Sequence, residues 1–308
     1  MSALSSAGDQ AADAELPAEL LSRFGFSMAM ERAVRDLMQS DSIGFAEAAV
    51  RLNFMTVEQV KEVLLDAQRD GKSEHVGLVE MAIHKIASNR QVVSTQGETV
   101  TPSRQLILAH DADNPRSEKI RALRTELLLL CENSRTANTM ALLSACAGEG
   151  RSQLAAELAI SFSQLGRRAL LVDADMRQPK QHVLFGTSNT NGLAEAISRN
   201  QKPSIHMVEG LPYLTLLTSG ATPPNPLELL SDGRFAKLLQ EWRKYYEFVV
   251  LDTPPVQNYA DGLAIATLAG RVMLLSRGQH TSFADTKLLL RRLATTQSQI
   301  LGTVINHF

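Results

Sequence analysis

A chain of 308 residues with 44% apolar and 21% charged side chains carries enough apolar material for a sizeable core, and suits one large domain beside a small one. A formal net charge of −2 does not advertise a nucleic-acid surface, and two cysteines, Cys131 and Cys146, do not make a disulfide framework. No signal-peptide pattern opens the sequence and no run approaches the roughly 20 apolar residues that span a bilayer, so a membrane role is expected only through a partner.

Residues 1–19, rich in Ala, Ser, Asp and Gln, read as a disordered lead. Residues 20–87 read as a small helical domain. Phe45, Ala48, Ala49 and Leu52 share one face, Val57, Val60, Val63, Leu64 and Ala67 share another, and Thr56 with Gln59 forms a capping box between them. Residues 88–105 are polar and punctuated, as in a linker. Up to Val100 the chain holds 9 basic and 15 acidic residues, and beyond it 22 basic and 18 acidic. An acidic appendage in front of a phosphate-handling domain fits that asymmetry. Through 106–308 short branched apolar runs (139–144, 168–173, 213–218, 247–252, 271–276 and 300–305) alternate with helical stretches. That rhythm predicts an α/β fold, a mostly parallel sheet with helices on both faces, whose ligands bind at the C-terminal strand ends.

Three motifs fall at such ends. The first is the loop Ser144–Ser152, SACAGEGRS, between the apolar run Met140–Leu143 and the helix-forming stretch Gln153–Ile160. Its glycines let backbone N–H groups close around a phosphate, and a helix N-terminus adds favourable dipole charge. A lysine ordinarily precedes the Ser of such a loop, yet Arg151 stands there and the loop holds no lysine. The loop is therefore built to hold a nucleotide, and the arginine puts γ-phosphate transfer in question. The second motif, LLVDADMR, ends a strand in Asp173 and Asp175 followed by Arg177. Paired carboxylates there suit Mg²⁺ coordination or proton removal, and they also suit capping of the next helix. The third, VVLDTPP, places Asp252 where phosphate-loop NTPases carry the acidic residue that positions Mg²⁺. Each motif alone has an ordinary reading as a turn or cap. All three in order, each behind its own strand, argue for phosphate binding.

With these motifs the sequence resembles the bacterial tyrosine kinases of exopolysaccharide synthesis, whose signatures are a deviant phosphate loop, a DxDxR strand end and a DTPP strand end. MRQPKQHVLFG (176–186), PPNPLELLSDGRF (223–235) and SEKIRALRTE (117–126) agree with it. The resemblance covers about residues 105–308 and implies a phosphate-loop NTPase-like fold with transfer from Mg·ATP to protein tyrosine. It implies ATP contacts from Ala147, Gly148, Glu149, Gly150, Arg151, Ser152 and Arg177. Ser152 would offer its hydroxyl to Mg²⁺ with Asp252 in the outer shell, and Asp173 would serve as base or metal-coupled carboxylate, supported by Asp175. Glu118, Arg121 and Arg124 match the family's ExxRxxR oligomerisation helix, which implies a homo-oligomer. The implied partner is the cytoplasmic segment of a membrane chain-length-determinant protein, which would hold a cytoplasmic chain at the inner membrane. The helical N-terminal domain resembles those of the soluble chain-length-determinant kinases. Docking to the polysaccharide machinery and simple support of the kinase core are both open to it.

The chain departs from that pattern at Arg151 and in carrying no tyrosine-rich tail after its last strand, so no tail autophosphorylation is expected. Its four tyrosines, Tyr213, Tyr245, Tyr246 and Tyr259, fall inside the folded domain, and Tyr245 and Tyr246 read as packing residues ahead of a strand. Cys146, beside a helix N-terminus, reads as structural or as a thiol of lowered pKa. Two other functions compete: a non-catalytic, nucleotide-gated assembly partner, and a ParA/MinD-like ATPase. The latter needs a second lysine where this loop has Cys146. No basic tract suggests DNA, and no terminal amphipathic basic helix suggests direct membrane binding.

Overall fold

The computed structural model describes residues 97–131 and 138–307, together with Val34, Arg35, Met38, Ala48 and Ala49. The chain divides into two compact units, Met1–Val93 and Ser94–Phe308. In the first, the five described residues are helical, and Val34, Ala48 and Ala49 are buried. The expected lead, the Thr56–Gln59 capping box and the linker up to residue 96 lie outside the described residues.

The second unit is built on one eight-stranded sheet. Its strands are β1 (Thr99–Val100), β2 (Asn138–Ser144), β3 (Ala169–Asp173), β4 (Ile205–Val208), β5 (Leu211–Leu217), β6 (Phe248–Asp252), β7 (Arg271–Arg277) and β8 (Gln299–Asn306). They lie in the order β1-β4-β5-β3-β6-β2-β7-β8. Every pairing is parallel except β4 with β5. β3 and β6 are buried throughout their length and β2 through all but its first residue, which is why they read as unbroken apolar runs and not as alternating strands.

β6 lies between β2 and β3, with Asp252 in register with Leu142 on one side and Asp173 on the other. The three strands that end in the three motifs are thus adjacent and point the same way. Helix α3 (Arg151–Gln164) carries the chain from β2 to β3, and α8 (Asp261–Ala269) carries it from β6 to β7. These connections advance in opposite directions along the sheet, so right-handed crossovers put the two helices on opposite faces. On the α3 face, Phe162 stacks on Phe248 with ring centroids 3.9 Å apart. Helices α1 (Ile107–His110) and α2 (Pro115–Cys131) pack outside α3.

The remaining helices are α4 (Gln181–Leu184), α5 (Leu193–Arg199), α6 (Pro226–Leu230), α7 (Gly233–Tyr245) and α9 (Phe283–Leu293). Pro226 occupies the first turn of α6, where its missing N–H costs nothing. α7 begins on the Asp232 carboxylate, which accepts the Arg234 N–H at 2.8 Å.

Two differences from the sequence reading stand out. β4 was not expected: IHMV is short and carries a histidine, and it is fixed as a strand by antiparallel pairing to β5 through a turn in which Gly210 takes φ +71°. Residues 97–105 were expected to close a linker but belong to the domain edge, because Val100 is buried in β1 and the backbone at Gly97 comes so near Ile205 that a Cβ would lie 2.7 Å from its carbonyl oxygen.

Candidate nucleotide site

The phosphate loop leaves β2 at Ser144 and enters α3 at Arg151. Gly148 (φ +75°) and Gly150 (φ +93°) adopt left-handed backbone, which is inexpensive for glycine, and no side chain caps the helix N-terminus. Ala147 and Gly148 are exposed at the tip. Glu149 is buried, and its carboxylate accepts the Cys146 N–H at 2.8 Å, so it braces the loop from within.

Arg151 is 7% exposed and turns back over the base of the loop. Its Nε donates to the Thr253 carbonyl at 2.8 Å, and its Nη1 donates to the Cys146 carbonyl at 2.9 Å and to the Ser144 hydroxyl. Guanidinium donors diverge in a fixed plane, and here those of Nε and Nη1 are directed at the protein's own oxygens. Thr253 in turn donates its hydroxyl to Leu142 O at 2.5 Å, joining the third motif to β2.

The three motifs meet on a residue that no spacing in the sequence marks, Gln181. Its side-chain amide donates to Ser152 O at 2.9 Å and to Asp252 Oδ2 at 2.8 Å, and its backbone N–H donates to Asp173 Oδ2 at 2.9 Å. Asp173 Oδ2 also accepts Lys180 N–H at 3.0 Å, and Oδ1 accepts Asp175 N–H at 3.2 Å. Asp173 therefore caps α4 and is wholly enclosed. The two carboxylates of the second motif do not converge, since Asp175 Oδ1 turns to the N–H groups of Arg177 and Gln178. Capping is the ordinary role of this motif, and a free base at Asp173 is not what the contacts display.

Burial is the main force on the carboxyls. It pushes Asp173 well above the usual carboxylate range, with Asp252 adding to it and the Gln181 N–H opposing. Burial likewise pushes Asp252 up to about 6, against Arg151, Gln181 and Ser152. Asp252 Oδ1 is buried without a hydrogen-bond partner. Burial, reinforced by Glu149, raises the Cys146 thiol, which removes the expectation of an activated thiolate.

Other expected residues go elsewhere. Arg177 forms a two-point ion pair with the buried Asp261 (2.9 and 3.1 Å) and lies 4.0 Å from the centre of the Tyr259 ring, not on the phosphate loop. On α2, Glu118 pairs with Arg121, whereas Arg124 reaches inward to Ser161 O at 3.0 Å and fastens α2 to α3. Tyr246 is buried, accepts the Thr215 hydroxyl at 2.9 Å, and is pushed by burial to about 12.

Fold and loop together are those of the phosphate-loop NTPase class. No protein-family model matches the chain. It is 35% identical over 205 residues to the tyrosine-protein kinase YwqD of Bacillus subtilis, covering 66% of this chain and 86% of that protein. It is 32% identical over 236 residues to the putative tyrosine-protein kinase EpsB of Ralstonia solanacearum, a match covering 76% of this chain and 31% of that longer protein. Among solved structures it resembles the kinase domain of the Escherichia coli tyrosine kinase ETK (27% identity, TM-score 0.61, 66% of this chain and 79% of that one). It also resembles the chimerical protein CapA2B2 (30% identity, TM-score 0.62, 71% and 97%). The chain belongs to the bacterial tyrosine-kinase family.

Proposed function

We propose that the chain binds Mg·ATP on the phosphate loop and transfers the γ-phosphoryl group to a protein tyrosine, at a rate held down by Arg151, in the control of exopolysaccharide chain length or export. The observation that carries this reading is Asp252 Oδ1, a buried carboxylate oxygen without a partner, on a residue whose other oxygen is fixed by Gln181. An orphaned buried acceptor beside the Ser152 hydroxyl fits a hydrated Mg²⁺. Among the described residues no group of three His, Cys, Asp or Glu side chains is placed to hold a metal. A site with one hydroxyl and one carboxylate suits an ion that keeps its waters and takes the rest of its shell from phosphates. When bound, Mg²⁺ supplies charge neutralisation at the phosphates.

The chain's own residues divide the remaining work. The free N–H groups at the start of α3, with Gly148 and Gly150, receive phosphate oxygens. Arg151 holds the base of the loop in shape and offers charge from beneath it. Burial gives Asp173 a high proton affinity, yet three backbone N–H groups hold its oxygens. Taking a proton from a tyrosine hydroxyl therefore requires the N–H groups of Asp175, Lys180 and Gln181 to release it. The partner is proposed to be the cytoplasmic segment of a membrane chain-length-determinant protein, which would keep a cytoplasmic homo-oligomer at the inner membrane with Glu118, Arg121 and Arg124 at subunit contacts. Glu118 and Arg121 fit that role better than the inward-turned Arg124. Among the described residues no helix is long and apolar enough to cross a membrane.

A second reading, a nucleotide-gated scaffold that transfers nothing, draws on the Arg151 contacts. The experiment that separates the two supplies γ-labelled ATP and Mg²⁺, with and without the partner's segment, to the parent, Arg151→Lys and Asp252→Asn, scoring bound nucleotide and tyrosine label separately. Label lost in Asp252→Asn establishes the kinase. Bound ATP with no label in any sample establishes the scaffold, and no bound ATP refutes both.

A further inference from the structure

Three consecutive carbonyls of the phosphate loop are gripped from outside by two neighbouring strand ends. His280 Nε2 donates to Ala147 O, Arg277 Nη1 to Gly148 O, and Asn306 Nδ2 to Glu149 O, each at 3.2 Å. The Thr281 hydroxyl donates to the Glu149 carboxylate. Arg277 ends β7, His280 and Thr281 belong to the turn behind it, and Asn306 ends β8. The turn is internally fixed: Thr281 Oγ1 accepts the Arg277 N–H at 2.8 Å, Thr281 N–H donates to Arg277 O at 2.9 Å, and Gly278 N–H donates to Asn306 O at 2.8 Å. It also sits close against β8, because a Cβ on Gly278 would lie 2.7 Å from the His307 ring.

A trans peptide is planar, so a C=O and the N–H that follows it point in opposite directions. The chain has no cis peptide among the described residues. Drawing the carbonyls of residues 147, 148 and 149 outward therefore turns the N–H groups of Gly148, Glu149 and Gly150 to the other side of the loop. Successive N–H groups turned to one side, with left-handed Gly148 and Gly150 between them, make the concave nest that holds an anion. Hydrogen bonds to the carbonyls also polarise the attached N–H groups and strengthen them as donors.

We infer that Arg277, His280 and Asn306 are positioning residues that fix the phosphate loop's N–H groups for the phosphates of the nucleotide. The inference rests on the nucleotide reading above. These side chains meet the far side of the loop and act on the ligand through the peptide groups between. Their removal should weaken every ligand that uses the nest, whether or not it carries a nucleoside.

The test measures the affinity of the full chain for Mg·ATP and for Mg·pyrophosphate in the parent, His280→Leu, Asn306→Ala and Asn306→Asp. Asn306→Asp keeps the shape, removes the donor and adds a charge, so it is read only beside the uncharged Asn306→Ala. His280→Gln keeps a donor and serves as the rescue, and melting curves verify that each variant folds. Loss of one modest hydrogen bond predicts that His280→Leu and Asn306→Ala bind both ligands about 3- to 10-fold more weakly, by similar factors, with Asn306→Asp weakened at least as much, while His280→Gln stays near the parent. Weaker ATP binding with unchanged pyrophosphate binding would overturn the inference, because the residues would then be recognising the nucleoside. Unchanged affinity for both ligands would overturn it too. A parent that binds neither ligand refutes the nucleotide reading itself, and this inference with it.

Discussion

Asp173 and Asp252 are register partners on the neighbouring parallel strands β3 and β6, and both side chains are wholly buried. Two carboxylates so placed repel when both are ionised, and burial already disfavours each charge. A carboxyl raised in this way holds its proton more tightly folded than unfolded. Its favourable contribution is complete below the ordinary carboxylate value and is lost as pH rises through about 6, the value to which Asp252 is pushed. Metal-free protein should accordingly melt at a lower temperature at pH 7.5 than at pH 5. Asp252→Asn, which keeps an oxygen for Gln181 and discards the charge, should flatten that slope. Thermal unfolding across this range with chelator present is the check, and identical slopes in parent and variant would contradict the assignment.

Arg151 supplies the second prediction. Its donors go to the Thr253 carbonyl, the Cys146 carbonyl and the Ser144 hydroxyl, whereas a lysine ammonium is compact and its donors rotate to follow the γ-phosphate. Arg151→Lys should raise tyrosine labelling on the order of 10²-fold, the scale of one preorganised transition-state donor, with ATP affinity altered by less than about 3-fold. A variant no faster than the parent would remove Arg151 as the cause of slow transfer.

The Arg177–Asp261 pair gives a prediction about stability. Arg177→Ala leaves the buried Asp261 carboxylate without its two-point partner and strips the cation from the Tyr259 ring. Because the arginine side chain is 28% exposed, the cost should fall below the range for fully buried pairs, at about 2–3 kcal/mol. Adding Asp261→Asn should recover much of it. Urea unfolding measures both steps. A loss of ATP affinity with no loss of stability would instead restore Arg177 to the phosphates.

Tyr246 should never carry phosphate. It is buried, holds its proton to about 12, and accepts from Thr215. Site mapping of labelled protein should find nothing at this residue. Tyr246→Phe should leave total label unchanged and cost about 1 kcal/mol for the lost hydrogen bond.

The sheet was legible because its central strands are buried on both faces and so appear as unbroken apolar runs. The phosphate loop was legible because its glycines follow such a run and stand in order with two further strand ends that carry carboxylates, although a glycine turn alone would be ordinary. β4 was not, since four residues gain strand structure only from their pairing with β5. Gln181 was not, because its role depends on three segments meeting in space and glutamine has no characteristic spacing. Arg177 and Arg124 lie in recognisable motifs, yet a motif does not tell which way a long side chain turns. Arg177 turned to Asp261 and Arg124 to Ser161 O.

Gln181 has a consequence for any attempt to rebuild this site in another protein. Its one amide ties Ser152 to Asp252 while its own N–H secures Asp173, so the three motifs behave as parts of a single joint. Transplanting the loop Ser144–Ser152 alone would carry over the hinge leaf without its pin. The smallest portable unit is the loop together with residues 173–181 and the end of β6.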